Sequence, residues 1–213
     1  MKYRRLNMDA YPRRAHFDYF RTLADPYVGV TVDVDVTDLA ALCHETGRSF
    51  YLVFLRAAVL AANRVPELRQ RILDGGIVEY ERCESSHIEL LENGAYCYCA
   101  LAHDPEQSLA DYLAYAEAAR IACKSRPSIE EAEDVLGQYF ISTVPWLHYT
   151  SLHQPTAGGD ESNPRITWGK YAPDFRGRRM MPVTLLAHHA LVDGLQIAQF
   201  YDYLNEEISK MKE

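Results

Sequence analysis

From Val28 to Val36 the chain alternates strictly, with Val28, Val30, Val32, Val34 and Val36 separated by Gly29, Thr31, Asp33 and Asp35. A period of two is the signature of an extended strand with one face on a core. The fold must therefore contain a sheet with an apolar layer laid over one side. The end of the chain supplies a piece of such a layer: Ile197, Phe200, Tyr201, Leu204 and Ile208 recur at helical spacing, with acidic and amide residues between them. That is an amphipathic helix with one stripe to bury.

The residues between these segments extend the pattern. Phe50 to Val65 is the most apolar stretch, but Arg56 and Asn63 interrupt it and it falls short of the ~20 residues a bilayer requires; it reads as a buried helix. Thr37 offers an N-cap for a helix through Leu39, Leu42 and Cys43. Asp74-Gly75-Gly76 is a turn before the strand Ile77–Tyr80, and Asn93-Gly94 separates two further apolar runs as a hairpin would. Leu109 to Cys123 reads as an amphipathic helix. Tyr139–Ser142, Trp146–Leu152, Ile166–Tyr171 and Met181–Leu186 read as strands, and Pro155–Pro164 as a surface loop. With no regular βαβα rhythm and no internal repeat, the expectation is an α/β two-layer sandwich with a mixed β-sheet. A length of 213 residues suits one domain spanning residues 1–213.

Composition narrows the function classes. At 48% hydrophobic and 24% charged residues the chain is an ordinary globular one. A net charge of −8 argues against nucleic acid as a partner, because phosphate binding draws on a Lys/Arg surplus. No segment suits a membrane. The basic start Met1-Lys2-Tyr3-Arg4-Arg5 runs into Asp9, Arg13, Arg14 and Asp18 instead of an apolar export segment. Five cysteines, an odd number, fit reduced thiols and a cytoplasmic location. Cys83, His87, Cys97 and Cys99 match no familiar zinc spacing, so buried thiols are expected and no metal. Arg176, Arg178 and Arg179 around Gly177 read as a solvated hairpin tip.

The chemically loaded spot follows the apolar run Val183–Ala187: His188, His189 and, four residues on, Asp193 with Gly194. Adjacent strand residues face opposite sides, so one histidine faces the core side and the other a cleft or an interface. A histidine suits general-base work on a hydroxyl because its ordinary pKa lies near neutrality. By spacing alone the pair also reads as two satisfied structural histidines, with Asp193 a helix cap.

The segment His188-His189-Ala190-Leu191-Val192-Asp193-Gly194 resembles the His-His-x-x-x-Asp-Gly signature of the chloramphenicol acetyltransferase family. Arg13-Arg14-Ala15-His16-Phe17, Phe50-Tyr51, Pro66-Glu67-Leu68-Arg69, Asp74-Gly75, Ser142 with Pro145-Trp146, and Thr167-Trp168-Gly169-Lys170-Tyr171 follow in the family's order. The resemblance implies direct transfer of acetyl from acetyl-CoA to a hydroxyl, with chloramphenicol the expected acceptor. His189 would be the base, Ser142 the oxyanion donor, and Thr167 a residue holding water near the intermediate. Asp193 would form a bidentate pair with Arg13. Lys170, Tyr171 and Tyr51 would meet CoA, and Phe20, Phe140 and Phe17 would serve an aromatic acceptor pocket. The family is homotrimeric, with its sites between subunits. Departures are Ser49 where a lysine is common, Phe20 where a tyrosine can occur, and Leu147-His148-Tyr149 after Pro-Trp. The alternatives are a catalytically weak homologue that binds a small aromatic ligand, or an acyltransferase with another hydroxyl or thiol acceptor. A dihydrolipoyl acyltransferase core is less expected, since such cores follow lipoyl and subunit-binding modules.

Overall fold

The computed structural model describes residues 1–130 and 134–211. Its main sheet is built from β2 (Tyr27–Asp35), β5 (Glu84–Leu90), β6 (Tyr96–Leu101), β7 (Gln138–Val144), β8 (Arg165–Gly169) and β10 (Arg179–His188), in the order β2-β10-β8-β7-β5-β6. The short β9 (Ala172–Pro173) pairs with β10. The sheet is mixed: β7 runs parallel to both β5 and β8, and the other pairings are antiparallel. A smaller sheet, β1-β4-β3, joins Tyr3–Arg5 to the hairpin Gln70–Leu73 and Gly76–Tyr80.

Three helices cover one face of the main sheet. The first, α3 (Phe50–Asn63), is buried almost all round, as its predominantly apolar sequence requires, and Arg56 is buried with the rest. Its Phe54 ring meets Trp168 of β8 at 5.0 Å. The C-terminal α5 (Gly194–Lys210) turns Ile197, Phe200, Leu204 and Ile208 inward, and its Tyr201 hydroxyl donates to the carbonyls of Val30 and Val183. The third, α4 (Leu109–Ser125), packs on β6. Two shorter helices, α1 (Arg14–Phe20) and α2 (Thr37–Thr46), flank β2. On the opposite face the irregular segment 145–164 crosses the strands, and the Tyr149 hydroxyl donates to the Thr167 carbonyl.

Several expectations need correction. Trp146–Leu152 is not a strand: Pro145 has no N–H for a ladder, the chain leaves the sheet after Val144, and Trp146 is 71% exposed. Thr37 is the first residue of α2 and not its cap; Asp35 Oδ1 accepts from both the Thr37 amide and its hydroxyl. The alternating valines do form a strand, but β2 is an edge with a neighbour on one side only. Val34 and Val36 are buried while Val30 is 41% exposed.

Candidate active site

β10 ends at His188, paired with Tyr27. The chain then reverses: the Leu191 and Val192 amides donate back to the His188 carbonyl, and the His189 amide donates to the Pro26 carbonyl at 2.7 Å. The two histidines separate here. His188 is buried; its Nδ1 accepts from the Ala190 amide, so Nε2 carries the proton and donates to the Gly159 carbonyl at 3.0 Å. Both nitrogens are satisfied, and burial lowers its pKa. His189 lies beyond the strand, partly accessible, with Nδ1 2.8 Å from the Val192 carbonyl. A carbonyl only accepts, so Nδ1 carries the proton and Nε2 of the neutral ring is left with a free lone pair.

The turn is fastened at Asp193, which caps α5. Oδ1 accepts from the Leu195 amide while the Asp193 amide donates to Gln196 Oε1, closing a capping box. Oδ2 accepts from Arg13 Nη1 at 2.6 Å. The contact with Arg13 therefore uses one oxygen and is not bidentate, because the cap occupies the other. Asp193 is both a helix cap and an arginine partner, and the Arg13 bond holds its carboxyl below the usual range. Arg13 opens α1 and Phe20 closes it, and the Phe20 ring stacks on His189 with centroids 3.9 Å apart. One short helix thus pins the turn at one end and covers a face of the histidine at the other. Phe17, expected in an aromatic pocket, is instead buried in the core.

A second group gathers on the outer sheet face. Ser142 of β7 is the ladder partner of Thr167 on β8, and Thr167 of Thr184 on β10. Ser142, Phe140, Tyr98, Gln138, Gln154 and Arg165 line a cavity of about 290 Å³. Thr167 Oγ1 donates to Gln154 Oε1 at 3.0 Å. The Arg165 guanidinium lies 5.3 Å from the Phe140 ring centre and is held by both carboxylate oxygens of Glu161. Gln154 and Arg165 carry no motif or spacing signal, and only the path of the 145–164 segment and the β8 register bring them to Ser142.

Within one chain these two groups do not meet. Ser142 shares its row with Thr184, and His188 lies four positions further along β10. Strand geometry makes that about 14 Å along and about 10 Å across the sheet.

A third feature lies on the helix side. Phe50, Tyr51, Thr143, Pro145, Trp168, Lys170, Tyr171 and Met181 line a cleft of about 500 Å³. Lys170 is exposed and without an ion pair among the described residues, and Tyr171 is 39% exposed with the Arg179 guanidinium 5.8 Å from its ring centre. Tyr51 packs against Trp168 and His87 and carries Arg120 against its ring. Behind it, burial would raise the pKa of Glu89, but His87, Arg120 and Lys124 bond the carboxylate and hold it far below the usual range. Ser49 caps α3 by accepting from the Leu52 amide. Among the described residues no group of three His, Cys, Asp or Glu side chains is placed to hold a metal ion, and no helix is long and apolar enough to cross a membrane.

Solved structures carry the same fold. A chloramphenicol acetyltransferase superimposes with a TM-score of 0.83 at 23% identity, covering 97% of this chain and 100% of that one. The dihydrolipoamide acetyltransferase of Azotobacter vinelandii gives 0.67 at 16% identity, with 92% and 87% covered. These likenesses give the fold, and the class, the acyltransferases, follows from a match to a family over nearly the whole chain. A family model for chloramphenicol acetyltransferase matches residues 1–205, and the chain belongs to that family. Chloramphenicol acetyltransferase 3 of Escherichia coli is 27% identical over 211 residues, 97% of each chain. Chloramphenicol acetyltransferase 2 of Haemophilus influenzae is 24% identical over 209 residues, 96% of each.

Proposed function

We propose that this acyltransferase moves the acetyl group of acetyl-CoA to a hydroxyl of chloramphenicol or a related small acceptor, with His189 as general base. The observation that carries the reading is the His189 ring. Its Nδ1–H is committed to the Val192 carbonyl, one face lies on Phe20, and its turn is tied to α1 through Arg13 and Asp193. A base so oriented has only Nε2 with which to take a proton.

In this mechanism Nε2 removes the acceptor hydroxyl proton as the oxygen attacks the thioester carbonyl. The carbonyl oxygen becomes an oxyanion and receives a hydrogen bond from Ser142. As the intermediate collapses, the C–S bond breaks and the imidazolium returns the proton to the departing thiolate. Thr167, expected to hold a water near the intermediate, donates its hydroxyl proton to Gln154 Oε1 and would meet such a water as an acceptor. The helix-side cleft suits the nucleotide end of the co-substrate: Lys170 offers phosphate an ammonium with no ion pair among the described residues and Tyr171 offers a purine an exposed ring, with Tyr51 as an inner wall.

The separation of His189 from Ser142 supports a site shared between subunits, with a homotrimer as the proposed assembly. His189 and Phe20 of one protomer would then face the Phe140 and Ser142 cavity of its partner. All five cysteines are free, which suits a reducing cytoplasm. One observation favours a more polar acceptor than chloramphenicol: Gln138, Gln154 and Arg165 stand beside Phe140 in the cavity wall. The deciding test is thiol release from acetyl-CoA across chloramphenicol and a panel of hydroxyl acceptors. Turnover with any of them is expected, and no release with all of them would overturn the reading.

A further inference from the structure

Ser142 is a single hydroxyl, and it makes no hydrogen bond to the described residues. It lies on β7, interior to the sheet beside β8, where backbone N–H groups are taken up by the ladder. With the ladder amides taken, a second donor supplied by the protein itself to a charge developing beside Ser142 has to come from a side chain. Arg165 in the same cavity wall is already clamped by both oxygens of Glu161. Gln154 is not. It lines the cavity with Ser142, and its Oε1 accepts the hydroxyl proton of Thr167, the ladder partner of Ser142. Thr167 is itself fully buried and its carbonyl is held by the Tyr149 hydroxyl. Anchoring Oε1 fixes the carboxamide plane and leaves the Nε2 hydrogens, which bond no described residue, on the other branch.

We propose that Gln154 is a catalytic residue whose side-chain N–H donates to the oxyanion beside Ser142, so that the intermediate has two donors. The role rests on the acetyl-transfer reading above. Thr167 then acts through Gln154 as a positioning residue. Because a carboxamide is neutral, this donor has no proton to lose near neutral pH.

The test uses Gln154→Leu and Gln154→Glu in the full chain, each checked for its fold by circular dichroism. Leucine removes the donor without adding charge. Glutamate keeps the length and still accepts from Thr167, but it has no N–H and brings negative charge toward an oxyanion. With Ser142 still present, kcat is expected to fall about 10²-fold to 10³-fold in Gln154→Leu and at least as far in Gln154→Glu. Because Gln154 also lines the acceptor cavity, kcat is read at saturating acceptor, with the acceptor the wild-type protein turns over and its Kd measured by calorimetry, so that a change in affinity is separated from a change in rate. Wild-type kcat in both variants, or a weakened Kd with kcat retained, would overturn the role of Gln154. If Ser142→Ala is impaired in the same assay while both Gln154 variants are not, only this inference fails. A wild-type protein that transfers acetyl to no acceptor removes the proposed function and this role together.

Discussion

His188 and His189 are neighbours of identical chemistry, and the end of β10 gives them different tasks. His188 accepts with one nitrogen, donates with the other and is closed off from solvent, whereas His189 donates only from Nδ1. His189→Ala should therefore lower acetyl transfer by about 10² to 10⁴, the range for a positioned base, with an unchanged circular dichroism spectrum. Near-normal turnover in that folded variant would end the mechanism. A third histidine bears on stability. His103 is buried, its Nε2 2.7 Å from Ser85 Oγ, and burial pushes its pKa down to about 3. In the unfolded chain it titrates near 6.5, so between about pH 6.5 and 3 the unfolded state holds the extra proton and stability falls as pH falls. Each such group contributes a slope of at most about 1.4 kcal/mol per pH unit. His103→Gln should make the loss of urea midpoint between pH 7 and pH 5 smaller, though not zero, because burial shifts His188 in the same direction. An equal loss in the variant would mean that His103 is protonated in the fold. The motif made the histidine pair legible, but which ring is satisfied depends on carbonyls at Gly159 and Val192 that no spacing rule supplies.

At the scale of elements, α1 is the support on which the histidine turn rests. Asp193 serves two helices at once, capping α5 with Oδ1 and holding Arg13 with Oδ2. Asp193→Ala should cost about 1 to 2 kcal/mol for the cap alone, with a loss of turnover as well. Arg13→Ala should slow turnover with a smaller effect on stability. The double variant should fall well short of the sum, and additivity within about 0.5 kcal/mol would show that the two do not act as one pair. Asp193→Asn separates the duties, since an amide oxygen still caps: stability should be largely retained while turnover falls, as urea titration and the thiol-release assay would report. The long helices and the strands near Ile77, Tyr139, Ile166 and Met181 were legible from period and turn residues. Helix α1 was not, being seven residues long with no capping side chain. Trp146–Leu152 has a strand's composition but follows a proline that ends the ladder.

For the whole molecule, the distance between the His189 turn and the Ser142 cavity is the decisive feature. If the site is completed between protomers of a trimer, chains with only His189→Ala and chains with only Ser142→Ala complement one another. Every mixed trimer would hold one site with an intact histidine facing an intact serine, so an equal refolded mixture should recover about a quarter of wild-type activity. Hybrids confirmed by mass spectrometry yet no more active than their parents would place the whole site within one chain.

The sequence by itself determined the sheet-and-helix class and the family, and it supplied the residues proposed for the reacting centre, because side-chain period and a short local motif are written along the chain. The tertiary structure alone decided the rest: the hydrogen bond that sets the tautomer of His189, the sharing of the Asp193 oxygens, the placing of Gln154 and Arg165 in one cavity with Ser142, and the distance between the His189 turn and that cavity. Those depend on strand register, on the path of an irregular segment across a sheet face and on contacts between residues as far apart as Arg13 and Asp193. Local pattern carries no record of which distant residues the packing brings together.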